Sequence, residues 1–296
     1  MIVDVHTHTP SHRDVVPEQE RSFNTAWRPD RAVQAATTWA DHDAAQREAG
    51  VDVALVCNIA TRTPGGAGVI VDLQRVNDTT ADFAAADPSR RIGLCSVDPE
   101  DPGAMDELER SRLELGLKGL KLGPNYQDFE PLGPAAFRVY AYAQQHGLPI
   151  LFHQGTSPIR MAPLRYAHPL VMDEIAIAFP ELRIVMAHLG HPWQADTITV
   201  IRKHPNVWSD VSAGFYRPWS FYTALRLATE WGVLPKLLLG SDYPIATPLE
   251  TIEGLRAVNA PIAGTGLPRV PEDAMEAIIE RDALSVLGLS RPQLAL

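Results

Sequence analysis

The chain alternates short apolar runs with longer stretches in which apolar residues recur at helical spacing. Eight runs rich in aliphatic and β-branched residues predict strands over residues 2–8, 51–58, 91–97, 116–122, 148–153, 182–188, 206–213 and 235–242. Helical spacing between the runs is clearest over residues 134–146, 169–179 and 223–231. Glycine or proline precedes several strands, as at Gly50, Gly147 and Pro205, which is typical of helix ends.

The order of these elements predicts an α/β fold. The apolar runs do not alternate cleanly with polar residues, which indicates parallel strands buried on both faces. Eight strand–helix units in 296 residues favour a (β/α)8 TIM barrel. A doubly wound sheet is the alternative, but no G-x-G-x-x-G follows the first strand. Without an internal repeat or a low-complexity linker, we predict a single domain over residues 1–296.

Two connections are longer than a minimal barrel needs, residues 9–40 after the first strand and residues 154–168 after the fifth. Long loops at the carboxyl ends of barrel strands are commonly lids over an active site. We therefore expect rim-loop insertions after strands 1 and 5 that cover a site, with plain surface elaboration as the alternative.

Composition narrows the classes of function. Hydrophobic residues at 45% and charged residues at 21% exclude wholesale disorder. A net charge of −10 without a basic block argues against nucleic acid as a partner. No apolar run approaches the ~20 residues of a membrane span, and the first residues do not resemble a signal peptide. Two cysteines, Cys57 and Cys95, cannot form a disulfide framework, so we expect small core residues and a cytoplasmic protein.

Metal-ligating side chains stand at the ends of several predicted strands. His6 and His8 are two residues apart in the first strand, so both imidazoles are expected on one face, with Val3 and Val5 towards the helices. An H-x-H pair alone is a weak signal. The fifth, sixth and eighth strands end in His153, His188 and Asp242. Because parallel strands of a barrel end at one rim, the five side chains are expected to meet there, where they suit a divalent metal.

The segments D-V-H-T-H, G-L-K-G-L-K-L, P-I-L-F-H-Q-G-T, I-V-M-A-H-L-G and L-L-G-S-D-Y-P follow one another along the chain. In this order they resemble the amidohydrolase superfamily, and more narrowly the branch that includes aminocarboxymuconate-semialdehyde decarboxylase and resorcylate-type decarboxylases. The resemblance covers nearly the whole chain. It implies a barrel enzyme with a metal held by His6, His8, His153 and Asp242, and with His188 as an acid/base or substrate-orienting group.

The number of metals depends on Lys121. In binuclear members of the superfamily a carboxylated lysine at the end of strand four bridges two metals, and Lys121 stands at that end here. The alternative is a barrel lysine paired with a carboxylate such as Asp98 or Asp242. Mononuclear relatives keep lysines in strand four as well, so the resemblance favours one divalent metal. Three imidazoles and one carboxylate suit Zn²⁺ before Mn²⁺ and leave room for a water.

Three functions fit these residues. The first is hydrolysis of a small lactone, amide or ester by metal-activated water, with Asp242 as general base and His188 assisting the leaving group. The second is non-oxidative decarboxylation of an aromatic or unsaturated acid, and the third is an inactive metal-binding scaffold. The H-Q-G-T sequence at strand five does not show the loop motifs of those decarboxylases, which favours hydrolysis.

Aromatic and arginine residues in the predicted rim loops are candidates for substrate binding, namely Tyr126, Arg160, Trp193 and Arg217. Such side chains suit a small, planar, anionic substrate. Barrels of this branch often dimerise, so a homodimer is one expectation. His191 is interpreted as support for the metal site or as a helix start. The remaining histidines are interpreted as surface or capping residues: His12, His42, His146, His168 and His204.

Overall fold

The computed structural model describes residues 1–10, 28–33, 37–59, 73–157, 159 and 162–292. Within these residues eight strands follow one another, each parallel to its neighbour in the sheet. The strands are β1 Val3–His8, β2 Val53–Cys57, β3 Arg91–Gly93, β4 Leu120–Leu122, β5 Ile150–Phe152, β6 Ile184–Met186, β7 Val207–Asp210 and β8 Leu237–Leu238. Several are shorter than the apolar runs that predicted them.

Helices separate the strands. They are α1 Trp39–Glu48, α2 Leu73–Ala86, α3 Ala104–Leu113, α4 Pro124–Gln127, α5 Pro134–Gln145, α6 Val171–Ala178, α7 Gln194–Lys203, α8 Pro218–Glu230, α9 Pro248–Arg256, α10 Glu272–Ile279 and α11 Ala283–Leu287. Short 3₁₀ turns cover Leu164–Ala167, Ala187–Gly190, Leu234–Lys236 and Ala260–Ile262. The three helical stretches predicted above correspond to α5, α6 and α8.

Backbone hydrogen bonds close the strands into a barrel. Regular pairing gives one sheet of β1 to β3 and one of β4 to β8. The amide of Cys95 donates to Gly119 O at one seam, and the amide of Val5 donates to Leu239 O at the other. These bonds confirm the predicted (β/α)8 barrel.

Alternating side chains divide the core into two layers. On β5, Ile150 and Phe152 pack outward with Tyr140 of α5, whereas Leu151 points inward and packs with Val185 of β6. The inner layer is closed at the amino-terminal end of the barrel by α11. The packed interior leaves the carboxyl-terminal rim as the place where polar side chains converge.

The first strand departs from simple alternation. Val3 and Val5 lie in the inner layer, whereas Asp4 and Thr7 face α1. The prediction that Val3 and Val5 face the helices was therefore wrong. The pairing register of β1 with β2 shifts between Asp4 and Thr7, and this irregularity allows His6 to face the interior directly after Val5.

Both predicted insertions contact the rim. Arg28, in the loop after β1, donates to Ile245 O beyond β8. In the loop after β5, Ile159 and Ala162 pack against Tyr126 of α4, the short helix after β4. Arg160 and His12 lie outside the described residues. No helix in the described part of the chain is long and apolar enough to cross a membrane.

Candidate metal centre

Four backbone segments bring the predicted ligands to one point of the rim. His6 and His8 belong to β1, and His153 directly follows β5. His188 lies in the 3₁₀ turn after β6, with φ of 60°. Asp242 lies four residues beyond β8, with φ of 61°, and its amide donates to His6 O at 2.7 Å. That bond holds the turn after β8 against the first strand.

The side chains of these residues form a buried cluster. Oδ1 of Asp242 lies 3.1 Å from Nε2 of His8 and 3.4 Å from Nε2 of His6. One ligand atom from each of His6, His188 and Asp242 lies within 4.8 Å of the others. Imidazole and carboxylate ligands at this spacing fit a Zn²⁺ or Mn²⁺ ion.

His153 provides a second test of that fit. Its Nδ1 lies 3.3 Å from Nε2 of His188, while its own Nε2 is buried without a hydrogen-bond partner. Burial, and then the positive charge of Lys121, lower the pKa of His153 to about 3. A neutral, buried imidazole with an unused nitrogen is the state in which histidine binds a metal.

Burial also lowers the pKa values of His8 and His188. For His8 the next cause is the charge of Lys121, and for His188 it is the neighbouring His153. Both side chains are therefore neutral ligands or bases rather than acids in the absence of a metal.

Lys121 lies next to the same cluster. Its side chain is fully buried in the barrel, and its Nζ lies 2.8 Å from Nε2 of His6. Burial lowers the pKa of Lys121, and nearby Asp242 and Asp210 oppose this effect. The hydrogen-bond partner seen for the amine is thus an imidazole rather than the carboxylate of Asp98.

Asp210 is a member of the site that the sequence reasoning missed. It ends β7 and is completely buried, and its Oδ2 lies 3.0 Å from Nδ1 of His6. Its Oδ1 accepts from the backbone amides of His188 and Ser212. Strand alternation could have indicated it, because side chains two residues apart on a strand point to the same face. Trp208 points into the barrel, and Asp210 does the same.

A cavity of about 280 Å³ opens beside the cluster. Its wall includes His153, His188 and Asp242, and the other lining residues that the structure describes are Tyr126, Thr156, Ser157, His191, Ala213, Tyr216 and Arg217. Two of the predicted substrate residues, Tyr126 and Arg217, thus lie in the wall. The ring of Tyr126 is 4.4 Å from that of His153. Trp193 packs against His168 instead, with ring centroids 4.9 Å apart, and is not among the described lining residues.

The model of the amidohydrolase family matches residues 3–289. The chain belongs to the amidohydrolase family. Metal dependence is a property of this family.

Solved structures of related enzymes share the fold of this amidohydrolase. The 5-carboxyvanillate decarboxylase LigW from Sphingomonas paucimobilis is 19% identical, with a TM-score of 0.66 over 98% of this chain and 99% of that one. A probable 2-pyrone-4,6-dicarboxylic acid hydrolase from Acinetobacter baumannii, with citric acid bound, is 16% identical, with a TM-score of 0.65 over 97% and 99%. A dihydroxybenzoic acid decarboxylase from Polaromonas sp., with bound manganese and 2-nitroresorcinol, is 14% identical, with a TM-score of 0.62 over 97% and 96%.

The other histidines in the described part of the chain lie outside the metal cluster. His42 is buried against Phe83 and Tyr243 and lies 2.9 Å from Oγ1 of Thr7, so its interpretation as a surface or capping residue was wrong. His146 caps α5. His168 and His204 lie near Asp196 and Asp173, respectively. His191 lines the cavity, and burial followed by the charge of Arg217 lowers its pKa to about 4. Cys57 and Cys95 are buried free thiols, as predicted.

Proposed function

We propose that this amidohydrolase is a metal-dependent hydrolase that acts on a carbonyl group of a small, planar, anionic substrate. The observation that carries the proposal is the position of Asp242. Its carboxylate contacts the imidazoles of His6 and His8 and also lines the 280 Å³ cavity. It therefore lies between the candidate metal ligands and the space available to a substrate.

One divalent metal would be held by His6, His8, His153 and Asp242. When bound, such an ion lowers the pKa of a water and polarises a carbonyl oxygen. The carboxylate of Asp242 accepts the proton of the attacking water, for which it must lie within hydrogen-bond reach. His188, on the same wall of the cavity, orients the substrate as a hydrogen-bond acceptor.

The remaining wall residues suit the proposed substrate class. The guanidinium of Arg217 pairs with a carboxylate, and the rings of Tyr126 and Tyr216 pack against a planar body. Thr156 and Ser157 add hydroxyl groups from the loop after β5. A cavity of about 280 Å³ has room for a molecule with a single ring.

The same wall favours a second candidate, non-oxidative decarboxylation of an aromatic or unsaturated acid. Two phenol rings and an arginine beside the candidate metal ligands suit an aromatic carboxylate, and two of the related structures described above are decarboxylases of aromatic acids. In that reaction the bond to the carboxyl carbon breaks, CO₂ leaves, and a proton replaces it on the substrate carbon. Asp242, carrying the proton, is the candidate donor.

The deciding experiment is a substrate screen on protein that has been stripped with a chelator and reloaded with Zn²⁺ or Mn²⁺. Lactones, amides and aromatic acids are supplied while CO₂ and proton release are followed together. Proton release from a lactone, or amine release from an amide, without CO₂ supports the hydrolase, and CO₂ release from an aromatic acid supports the decarboxylase. Activity that persists after chelation contradicts both, and metal binding without turnover across the panel supports the inactive scaffold.

Metal analysis tests the number of ions separately. We expect a metal-to-protein ratio near one after reloading. A ratio near two, lost on Lys121→Met substitution, would instead support a binuclear site with a carboxylated Lys121.

A further inference from the structure

The carboxylate of Asp210 lies within hydrogen-bond distance of four groups. Its Oδ2 lies 3.0 Å from Nδ1 of His6. Its Oδ1 accepts from the amides of His188, at 2.9 Å, and Ser212, at 3.0 Å, and lies within hydrogen-bond distance of the Ser212 hydroxyl. The side chain is completely buried, so every one of these bonds is made away from water. The two backbone amides can only donate, so Oδ1 is an acceptor that carries no proton of its own.

The hydroxyl of Ser212 transmits this constraint to His188. Ser212 Oγ lies close to Oδ1 of Asp210 and 2.8 Å from Nδ1 of His188. A serine hydroxyl has one proton. Because Oδ1 of Asp210 is an acceptor, that proton points to Oδ1, and Nδ1 of His188 must donate to Ser212 Oγ. The proton on the imidazole of His188 is therefore on Nδ1, and Nε2 carries the lone pair.

The other oxygen of Asp210 lies against Nδ1 of His6. Nζ of Lys121 lies 2.8 Å from Nε2 of His6 and donates to it, so the proton of His6 is on Nδ1 and is donated to Oδ2 of Asp210. Nε2 of His6 is the atom 3.4 Å from Asp242. One buried carboxylate thus supports the same tautomer in imidazoles from β1 and from the turn after β6.

The assignment also accounts for His153. Nε2 of His188, with its lone pair, lies 3.3 Å from Nδ1 of His153. A hydrogen bond between them requires the proton to be on Nδ1 of His153. Nε2 of His153 then carries a lone pair, and this is the buried atom without a partner.

We propose that Asp210 and Ser212 are positioning residues that fix the Nδ1–H tautomers of His6 and His188, so that the lone pair of each imidazole is on Nε2, the nitrogen that faces the metal centre. The proposal rests on the metal centre of the proposed function, but not on the reaction performed there. Partners of this kind typically change metal affinity about 10- to 100-fold when removed.

The test compares Asp210→Asn with Ser209→Ala. An asparagine amide that donates to Nδ1 of His6 forces the proton to Nε2, which removes the ligand lone pair. Ser209 is the matched control, because it precedes Asp210 on β7 but bonds to Met186 O on the opposite face of the strand. Zn²⁺ affinity is measured by competition with a chromogenic chelator, and thermal unfolding is recorded for each protein.

We expect Asp210→Asn to weaken Zn²⁺ binding about 10- to 100-fold and Ser209→Ala to bind as the wild type does. A folded Asp210→Asn variant with wild-type affinity would overturn the proposal, even if its thermal stability has changed. Wild-type protein that binds neither Zn²⁺ nor Mn²⁺ would refute the proposed function instead.

A second measurement needs neither metal nor activity. The ¹⁵N shifts of the imidazole nitrogens in metal-free protein report which nitrogen carries the proton. We expect Nδ1–H forms for His6 and His188 in the wild type, and a changed signal for His188 alone in Ser212→Ala. An Nε2–H form of either histidine in the wild type would contradict the proposal, also in the event that Asp210→Asn does not fold.

Discussion

The guanidinium of Arg28 lies over the ring of Tyr216, 4.8 Å from its centroid. Arg28 belongs to the long loop after β1, and Tyr216 is part of the cavity wall. The same guanidinium bonds to Asp30 and to Glu250 of α9. A single buried arginine therefore connects the insertion after β1 to the wall of the candidate site.

Replacing Arg28 with Met is expected to loosen this wall. The substitution removes the contact with Tyr216 and the bonds to Glu250, and we expect a loss of about 1–3 kcal/mol in the free energy of unfolding. With a substrate from the screen, KM is expected to rise more than kcat falls, because Tyr216 shapes the cavity. Urea unfolding and steady-state kinetics measure the two effects.

Arg31→Met is the matched control for this prediction. Arg31 bonds to the same Glu250 carboxylate, but its side chain is 42% exposed. Exposed ion pairs contribute about 0–1 kcal/mol, so this variant is expected to keep nearly wild-type stability and KM. Equal effects of the two substitutions would show that Glu250, rather than Tyr216, explains the role of Arg28.

Replacing Asp242 with Asn is expected to abolish turnover with little change in thermal unfolding. The amide cannot accept the proton of the attacking water as a carboxylate does. The residue has φ of 61°, a conformation that asparagine adopts readily. Circular dichroism and the kcat of metal-loaded protein check the prediction.

Asp242→Ala separates the backbone from the chemistry. Alanine is disfavoured at this φ, so we expect this variant to lose about 1–2 kcal/mol of stability relative to Asp242→Asn, while both are inactive. Substantial activity in either variant would remove Asp242 from the proposed mechanism.

Strand ends were the part of the site that the sequence predicted well. His153 directly follows an apolar run that became β5, and in a parallel barrel the carboxyl ends of all strands meet at one rim. The position therefore followed from topology without knowledge of any contact. Asp242 was also placed at this rim, although β8 itself ends at Leu238 and a turn carries the residue the remaining distance.

Side-chain direction was harder to predict where the backbone is irregular. Val5 was expected to face the helices by strict alternation from His6, but the register shift in β1 places it inside. A shift of this kind depends on how β1 pairs with β2 and on its bonds to the turn after β8, which the local pattern of β1 does not contain. His42 was misread for a related reason, because the residues that bury it, Phe83 and Tyr243, are distant in the chain.

The buried imidazole of His42 predicts a specific dependence of stability on pH. Burial, followed by the charge of Arg91, lowers the pKa of His42 to about 4, from 6.5. Between these values the unfolded chain binds more protons at this residue than the folded protein does, so stability falls as the pH falls. From pH 7 to pH 5 we expect His42 to contribute a loss of about 2 kcal/mol.

His42→Gln tests this contribution, because glutamine does not titrate and retains a partner for Thr7. We expect the variant to lose less stability than the wild type between pH 7 and pH 5 in urea unfolding. His146→Gln, at the exposed end of α5, serves as control and should follow the wild type. Parallel curves for wild type and His42→Gln would show that His42 does not stay neutral in the folded protein.

Gly155 fixes the position of the loop after β5. It has φ of 95°, and a Cβ added there would collide with the backbone carbonyl of His191. Its amide donates to Ala167 O, and the next amide, of Thr156, donates to His191 O at 2.7 Å. Because neither backbone segment can move without breaking these bonds, Gly155→Ala is expected to lower the free energy of unfolding by about 2–4 kcal/mol in a urea titration. It is also expected to displace Thr156 and Ser157 from the cavity wall.

Gly266→Ala, where an added Cβ meets open space, is the control and should change stability by less than about 0.5 kcal/mol in the same urea titration. If both alanine variants unfold at the wild-type urea concentration, the loop after β5 is not held by this contact.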